Sequence, residues 1–172
     1  MSPRQTSLRV GVGFDSHRFA PERPLILGGV RVRESGGLHG HSDADVLAHA
    51  IMDALLGAAG LDDIGRLFPD TDPGFSGADS MELLHRVALL LREAGCEPVN
   101  VDAVVICDEP RIASHKAAMR ARLAEAIGIE IEDINLKGKT TEGQGPAGGP
   151  HGIVAHAVAL VERPAGGGKA GS

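Results

Sequence analysis

The chain contains no tryptophan and no tyrosine, and four phenylalanines are its only large aromatic side chains. A platform for stacking single-stranded bases is therefore not expected. Cysteine is nearly absent: Cys96 and Cys107 are the whole supply, and no CxxC pair exists. Two such thiols make neither a disulfide framework nor a thiolate zinc site, and the expectation is two reduced cysteines. No apolar run approaches the ~18 residues of a membrane span. Positive charge is in deficit, with 17 Lys and Arg against 23 Asp and Glu and a net charge of −6. No basic stripe exists to track a phosphate backbone. Neither nucleic acid nor membrane is expected as a partner. Met1 to Ser7 has no apolar signal core and is too short for a transit peptide, so the expectation is a cytoplasmic protein.

What is present fits one folded domain. The 172 residues are 42% hydrophobic and 23% charged, enough to bury about 70% of the unfolded surface without covalent staples. Residues 1–7 read as a loose lead-in, 8–163 as a single domain, and 164–172, rich in glycine, as a disordered tail. Leu8–Phe14 alternates as a strand does. Leu25–Leu27 and Val30–Val32 flank a Gly28-Gly29 hairpin turn. Asp45–Gly60 has helical spacing, with Ser42 as the expected N-cap and Gly60 as the stop. Asp79–Ala94 and Ser114–Ile127 read as helices. Val99–Cys107, Ile134–Thr141 and Ile153–Val161 read as strands. Gly145–Pro150 reads as a surface turn or a ligand loop. The order predicts a mixed sheet layered with helices, α/β or α+β and near a ferredoxin-like arrangement.

The eight histidines matter by placement. In Asp15-Ser16-His17, an extended backbone points residues i and i+2 to one side. A solvated pair and two metal ligands are both open there. On the helix, Asp45, His49 and Asp53 fall one turn apart on one face. No Lys or Arg occurs between Arg33 and Arg66, and a single-sign face containing histidine suggests a nearby cation. Asp15, His17 and His49 together offer N and O donors without sulfur, the donor set of a catalytic zinc site with one open position. Asp45 and Asp53 are expected to orient the imidazoles. Asp62–Asp72 places four carboxylates in a Gly- and Pro-containing loop that lacks EF-hand spacing. Lys137–Glu142 suits phosphate oxygens through its hydroxyls and lysines. It is not a P-loop: Asp133 and Ile134 occupy the stretch where the first glycine would stand, and no helix follows. Glu142 could hold Mg²⁺ against a phosphate.

Phe14–His17, His41–Asp45, His49–Ala59, Asp63–Pro73 and Gly77–Ser80 together resemble the 2-C-methyl-D-erythritol 2,4-cyclodiphosphate synthase family. Glu109–Arg111 and Lys137–Glu142 continue the match in order, over about residues 8–162. The resemblance implies a bacterial homotrimer with a central channel and active sites between subunits. It implies a step of non-mevalonate isoprenoid biosynthesis in which 4-diphosphocytidyl-2-C-methyl-D-erythritol 2-phosphate cyclises and releases CMP. It implies zinc, or another divalent transition metal, on Asp15, His17 and His49. A second ion, Mg²⁺ or Mn²⁺, would use Glu142 and bridge the diphosphate. His41 and Thr140 correspond to transition-state stabilisers. Asp15, Ser16, His17, His41 and Ser42 would lie by the phosphates. Asp63, Ile64 and Gly65, with Phe68, Pro69, Asp70, Thr71 and Asp72, would hold the methylerythritol part. The cytidine would lie between Cys107, Asp108, Glu109, Pro110, Arg111, Ile112 and Ala113 and the segment Lys139, Thr140, Thr141 and Glu142.

The chain departs from the family pattern in three places. Arg111 replaces the usual lysine, and Cys107 a usual alanine. Gly143–Pro150 lacks the aromatic residue and the arginine common there, in a stretch that borders the central cavity in relatives. Two other readings remain: a non-catalytic cytidine-nucleotide-binding trimer of the same fold, and a zinc phosphohydrolase using water as nucleophile.

Overall fold

The structure, a computed structural model, describes residues 6–69, 71–143 and 151–164. Five strands form one mixed sheet: β1 (Thr6–Ala20), β4 (Gly37–Leu38), β5 (Glu97–Ile106), β6 (Ile134–Lys139) and β7 (Gly152–Pro164), in the order β4-β1-β7-β5-β6. Only the β5–β6 pair is parallel. A separate hairpin joins β2 (Leu25–Leu27) to β3 (Val30–Arg33). Three longer helices, α1 (Val46–Ala59), α3 (Ser80–Glu93) and α4 (Lys116–Ile127), cover one face, and a one-turn α2 (Ile64–Leu67) follows α1. The mixed α+β class is as expected.

β1 is twice the expected length, because its partner is equally long. The antiparallel ladder with β7 runs from Thr6↔Pro164 to Arg18↔Gly152. Thr6, Ser7 and Pro164, assigned to the loose ends, are therefore strand residues. The rest of the lead-in and tail, the Gly145–Pro150 turn and Asp70 lie outside the described residues. The strand also carries Asp15–His17 within it rather than after it.

The two faces of β1 differ sharply. Leu8, Val10, Val12 and Phe14 are 55–71% exposed. On the other face Gly11 and Gly13 lie against α1: a Cβ on Gly11 would stand 1.9 Å from the Ala54 carbonyl oxygen, and one on Gly13 1.8 Å from that of Ala50. Only glycine lets helix backbone approach strand backbone this closely. α1 is consequently a central layer, with eleven of its fourteen residues buried. It packs on the sheet on one side and on α3 on the other.

The start of α1 corrects the expected cap. Ala44 adopts a left-handed φ of 59°, so the helix begins beyond it. Asp45, not Ser42, is the N-cap: its carboxylate accepts from Ala48 N at 3.1 Å. The same carboxylate accepts from Gly28 N at 2.9 Å and Gly29 N at 2.7 Å, binding the hairpin turn to the helix. Burial raises its pKa to about 6, with Asp43 adding to the rise and the three N–H donors opposing it. Gly60 ends α1 at φ 76° as expected.

Adding one methyl group to Gly13 should be enough to disturb this packing. Gly13→Ala is expected to destabilise the fold by about 3 kcal/mol, the cost of overpacking against an unyielding backbone. Urea unfolding of the two proteins gives the difference, and an unchanged midpoint would contradict the contact.

Candidate active site

Asp15 and His17 are two residues apart on β1, and His49 lies on the first turn of α1. Their side chains meet where that helix crosses the strand. Asp15 Oδ2 lies 2.9 Å from His17 Nε2 and 3.0 Å from His49 Nδ1, and the two imidazole nitrogens are 3.4 Å apart. Donors around a tetrahedral zinc with ordinary bond lengths stand about 3.3 Å from one another. Two imidazole nitrogens and a carboxylate oxygen facing a common centre are satisfied together by a cation there. Among the described residues this is the group whose donors converge in that way.

The charges point the same way. Burial pushes the Asp15 carboxyl up, but hydrogen bonds to His17 and His49 and their charges outweigh it and hold the group well below the usual carboxylate range. Asp15 is thus an anion. Burial pushes His49 down, yet the Asp15 bond, with Asp15, Asp45 and Asp43 nearby, raises it overall. The centre attracts positive charge. Ser16 N donates to Asp15 Oδ1 at 2.8 Å, which leaves Oδ2 for the imidazoles.

The far side of His49 is also fixed. Its Nε2 lies 3.1 Å from Ser80 Oγ and 3.2 Å from Ser42 Oγ. Ser80 Oγ donates its one proton to the Asp43 carboxylate, 2.5 Å away. Towards His49 it can only accept, so Nε2 carries the hydrogen and Nδ1 presents its lone pair to the centre. Ser80 and Asp43 were not singled out in the sequence. The residues expected in this role serve elsewhere: Asp45 holds the hairpin, and Asp53 accepts from Ile64 N at 3.0 Å. The i, i+4 spacing gives them a common helix face, but their nearest donors are backbone amides on neighbouring segments.

A cleft of about 560 Å³ opens beside the triad. His41 and Ser42 line it with Ile64, Gly65 and Phe68, all expected there, and His39, Met52, Phe75 and Leu83 complete its wall. Asp63 instead caps α2, accepting from Arg66 N at 3.0 Å, and Asp72 accepts from Gly74 N at 2.8 Å. Pro69 and Thr71 do not line the cleft. Ser16 does not line this cleft; it lines a separate hollow with His17, Arg18 and His151.

A second cleft, of about 400 Å³, lies beyond the ends of β5 and β6. Cys107, Pro110, Arg111, Ile112 and Ala113 form one side, and Lys139 and Thr140 the other, with Lys116 and Gly138 added. The sequence segments expected to hold the cytidine are thus brought together. Asp108 and Glu109 point elsewhere. Asp108 accepts from Thr141 N at 2.8 Å and from its hydroxyl at 2.9 and 3.0 Å, clasping the two walls together. Glu109 pairs with Arg33 at 2.9 Å. Burial, with Asp108 and Glu109, pushes the Cys107 thiol up to about 11, so it is no nucleophile at neutral pH. Glu142 is exposed, at φ 51°, and stands apart from the Asp15 cluster. His41 and Thr140 line different clefts.

If Ser80 orients His49, its loss must show in metal affinity. Ser80→Ala should weaken zinc binding ten- to a hundredfold, read by competition with a chromophoric chelator. Unaltered affinity would show that the hydroxyl does not set the tautomer.

The sequence pattern of the YgbB family matches residues 8–162. A 2-C-methyl-D-erythritol 2,4-cyclodiphosphate synthase of Azoarcus sp. (strain BH72) is 57% identical over 155 residues, covering 90% of this chain and 96% of the relative. The synthase of Thermosynechococcus vestitus is 53% identical over 155 residues, covering 90% and 96%. A solved synthase structure in its CDP-bound form superposes with a TM-score of 0.81 at 38% identity, covering 89% of this chain and 99% of that one. Likeness in sequence and in fold over nearly the whole length of both partners has one reading: the chain belongs to the YgbB family, that of the 2-C-methyl-D-erythritol 2,4-cyclodiphosphate synthases.

Proposed function

We propose that this chain converts 4-diphosphocytidyl-2-C-methyl-D-erythritol 2-phosphate to 2-C-methyl-D-erythritol 2,4-cyclodiphosphate and CMP, a cyclising phosphorus–oxygen lyase of non-mevalonate isoprenoid biosynthesis. The observation that carries the reading is the convergence of Asp15, His17 and His49 beside a cleft that also holds His41 and Ser42. An oxygen of the 2-phosphate attacks the β-phosphorus. The new P–O bond closes an eight-membered ring, the bond to the bridging oxygen breaks, and CMP leaves with the α-phosphate. A phosphate dianion is already a nucleophile near neutral pH, so no general base is required.

Each residue then has a task of positioning or charge stabilisation. Asp15, His17 and His49 hold a divalent metal, zinc by donor type, which when bound supplies Lewis-acid polarisation of a phosphate oxygen. His41 and Thr140 donate to the phosphates in the transition state, and Ser42 lies beside them. Asp63, Ile64 and Gly65, at the start of α2, hold the methylerythritol part, with Phe68 to Asp72 adding contacts. The second cleft takes the cytidine largely through backbone groups, and Arg111, Lys116 and Lys139 supply positive charge to its phosphates. Glu142 is the protein ligand of a second ion, Mg²⁺ or Mn²⁺.

The working unit in this reading is a homotrimer with a central channel, in which the first cleft of one subunit meets the second cleft of its neighbour. Two observations support it. Leu8, Val10, Val12 and Phe14 form an apolar stripe on the uncovered sheet face, and the two groups meant to act on one phosphate chain line separate clefts. The domain is 8–163 with its strands extending to Thr6 and Pro164, and the compartment is the bacterial cytoplasm. Among the described residues no helix is long and apolar enough to cross a membrane.

A ³¹P NMR time course with the cytidyl substrate and Mg²⁺ tests the proposal. CMP and the cyclic diphosphate should appear together, cease on chelation and return with zinc. His49→Ala should abolish zinc retention and turnover while the assembly survives. CMP without the cyclic product would mean a hydrolase, and binding without turnover a nucleotide-binding trimer. Either would overturn the proposal.

A further inference from the structure

We infer that Arg23 is a positioning residue for His41, acting through the backbone rather than by touching substrate. Arg23 stands in the turn between β1 and β2 and lines neither cleft. Its Nη1 donates to the Gly40 carbonyl at 2.5 Å, and its Nη2 donates to the Ser42 carbonyl. These carbonyls flank His41. The carbonyl of His41 itself accepts from Gly77 N at 2.9 Å. Three successive peptide planes are thereby held from outside the loop, two of them by one rigid guanidinium fork. With those planes fixed, φ and ψ at His41 and Ser42 are fixed too.

The arrangement matters because His41 has little else to hold it. Its imidazole is exposed, lines the triad's cleft and makes no hydrogen bond among the described residues. The position of that ring is therefore set by its backbone. Arg23 has no carboxylate partner among the described residues either, so ion pairing does not account for its half-buried place. Its Nη1 and Nη2 are both spent on a segment where a misplaced Cα would move a group in the cleft. A lysine there would keep the charge but has no planar fork to engage two carbonyls at once. The inference rests on the reading that His41 acts on the reacting phosphates.

The test is a double-mutant cycle on the full-length, zinc-loaded protein. Arg23→Lys should lower kcat ten- to a hundredfold, the scale of a misplaced catalytic group, with little change in KM or zinc content. In a His41→Ala background the same substitution should change kcat by about twofold or less, because both remove one effect. Hydrogen exchange of the peptide spanning 40–43 should rise in Arg23→Lys, a readout independent of turnover. Full activity of Arg23→Lys would show that charge alone suffices. Additive losses would show that Arg23 acts elsewhere, and unchanged exchange that it holds nothing. Each of these overturns the inference. A fully active His41→Ala would instead sink the role of His41, and the inference with it, even if exchange still rose.

Discussion

The contact between α1 and β1 at glycine is the constraint on which the site depends. Gly13 meets the Ala50 carbonyl with no room for a side chain. His49 directly precedes Ala50, and Asp15 and His17 follow Gly13 by two and four residues. The three donors therefore stand next to the point where strand and helix backbones meet with no room for a Cβ. Neither helix nor strand can shift there without a backbone collision, so their separations of 2.9–3.4 Å are set by the scaffold. A centre built on a helix and a strand is better preorganised than one built on loops. The Ser80 and Asp43 contacts then choose which nitrogen of His49 faces inward.

Charge is divided between the two clefts. The first collects Asp15 and four histidines, and its anionic carboxylate favours a cation. The second collects Arg111, Lys116 and Lys139 and no carboxylate in its lining. A chain with a net charge of −6 can thus bind a polyanion only where cations have been concentrated. The proposed reaction needs both environments on one substrate, which is the physical argument for meeting a neighbouring subunit. The exposed stripe of Leu8, Val10, Val12 and Phe14 offers the apolar surface for that meeting.

Much of this was legible in the sequence where the signal is local. Two-residue periodicity placed Asp15 and His17 on one side of a strand, and Gly28-Gly29 and Gly60 marked a turn and a helix stop. The motifs carried both clefts. What escaped is long-range. The length of β1 is set by β7, whose paired residues lie 134 to 158 positions away in sequence. Ser42 looked like an N-cap because nothing local announces a left-handed alanine at 44. Asp45 looked like a partner for an imidazole because helix spacing cannot reveal that a hairpin turn will arrive above it. Ser80 and Arg23 reach His49 and the His41 loop across 31 and 17 to 19 positions, distances at which residue spacing carries no signal.

Zinc K-edge X-ray absorption on the zinc-loaded protein tests the central claim most directly. The Asp15, His17 and His49 centre predicts a shell of nitrogen and oxygen at about 2.0–2.1 Å, with the outer scattering of two imidazoles. His49→Ala should remove one imidazole or the metal altogether. A sulfur shell at about 2.3 Å, or a wild-type spectrum without imidazole scattering, would contradict the account.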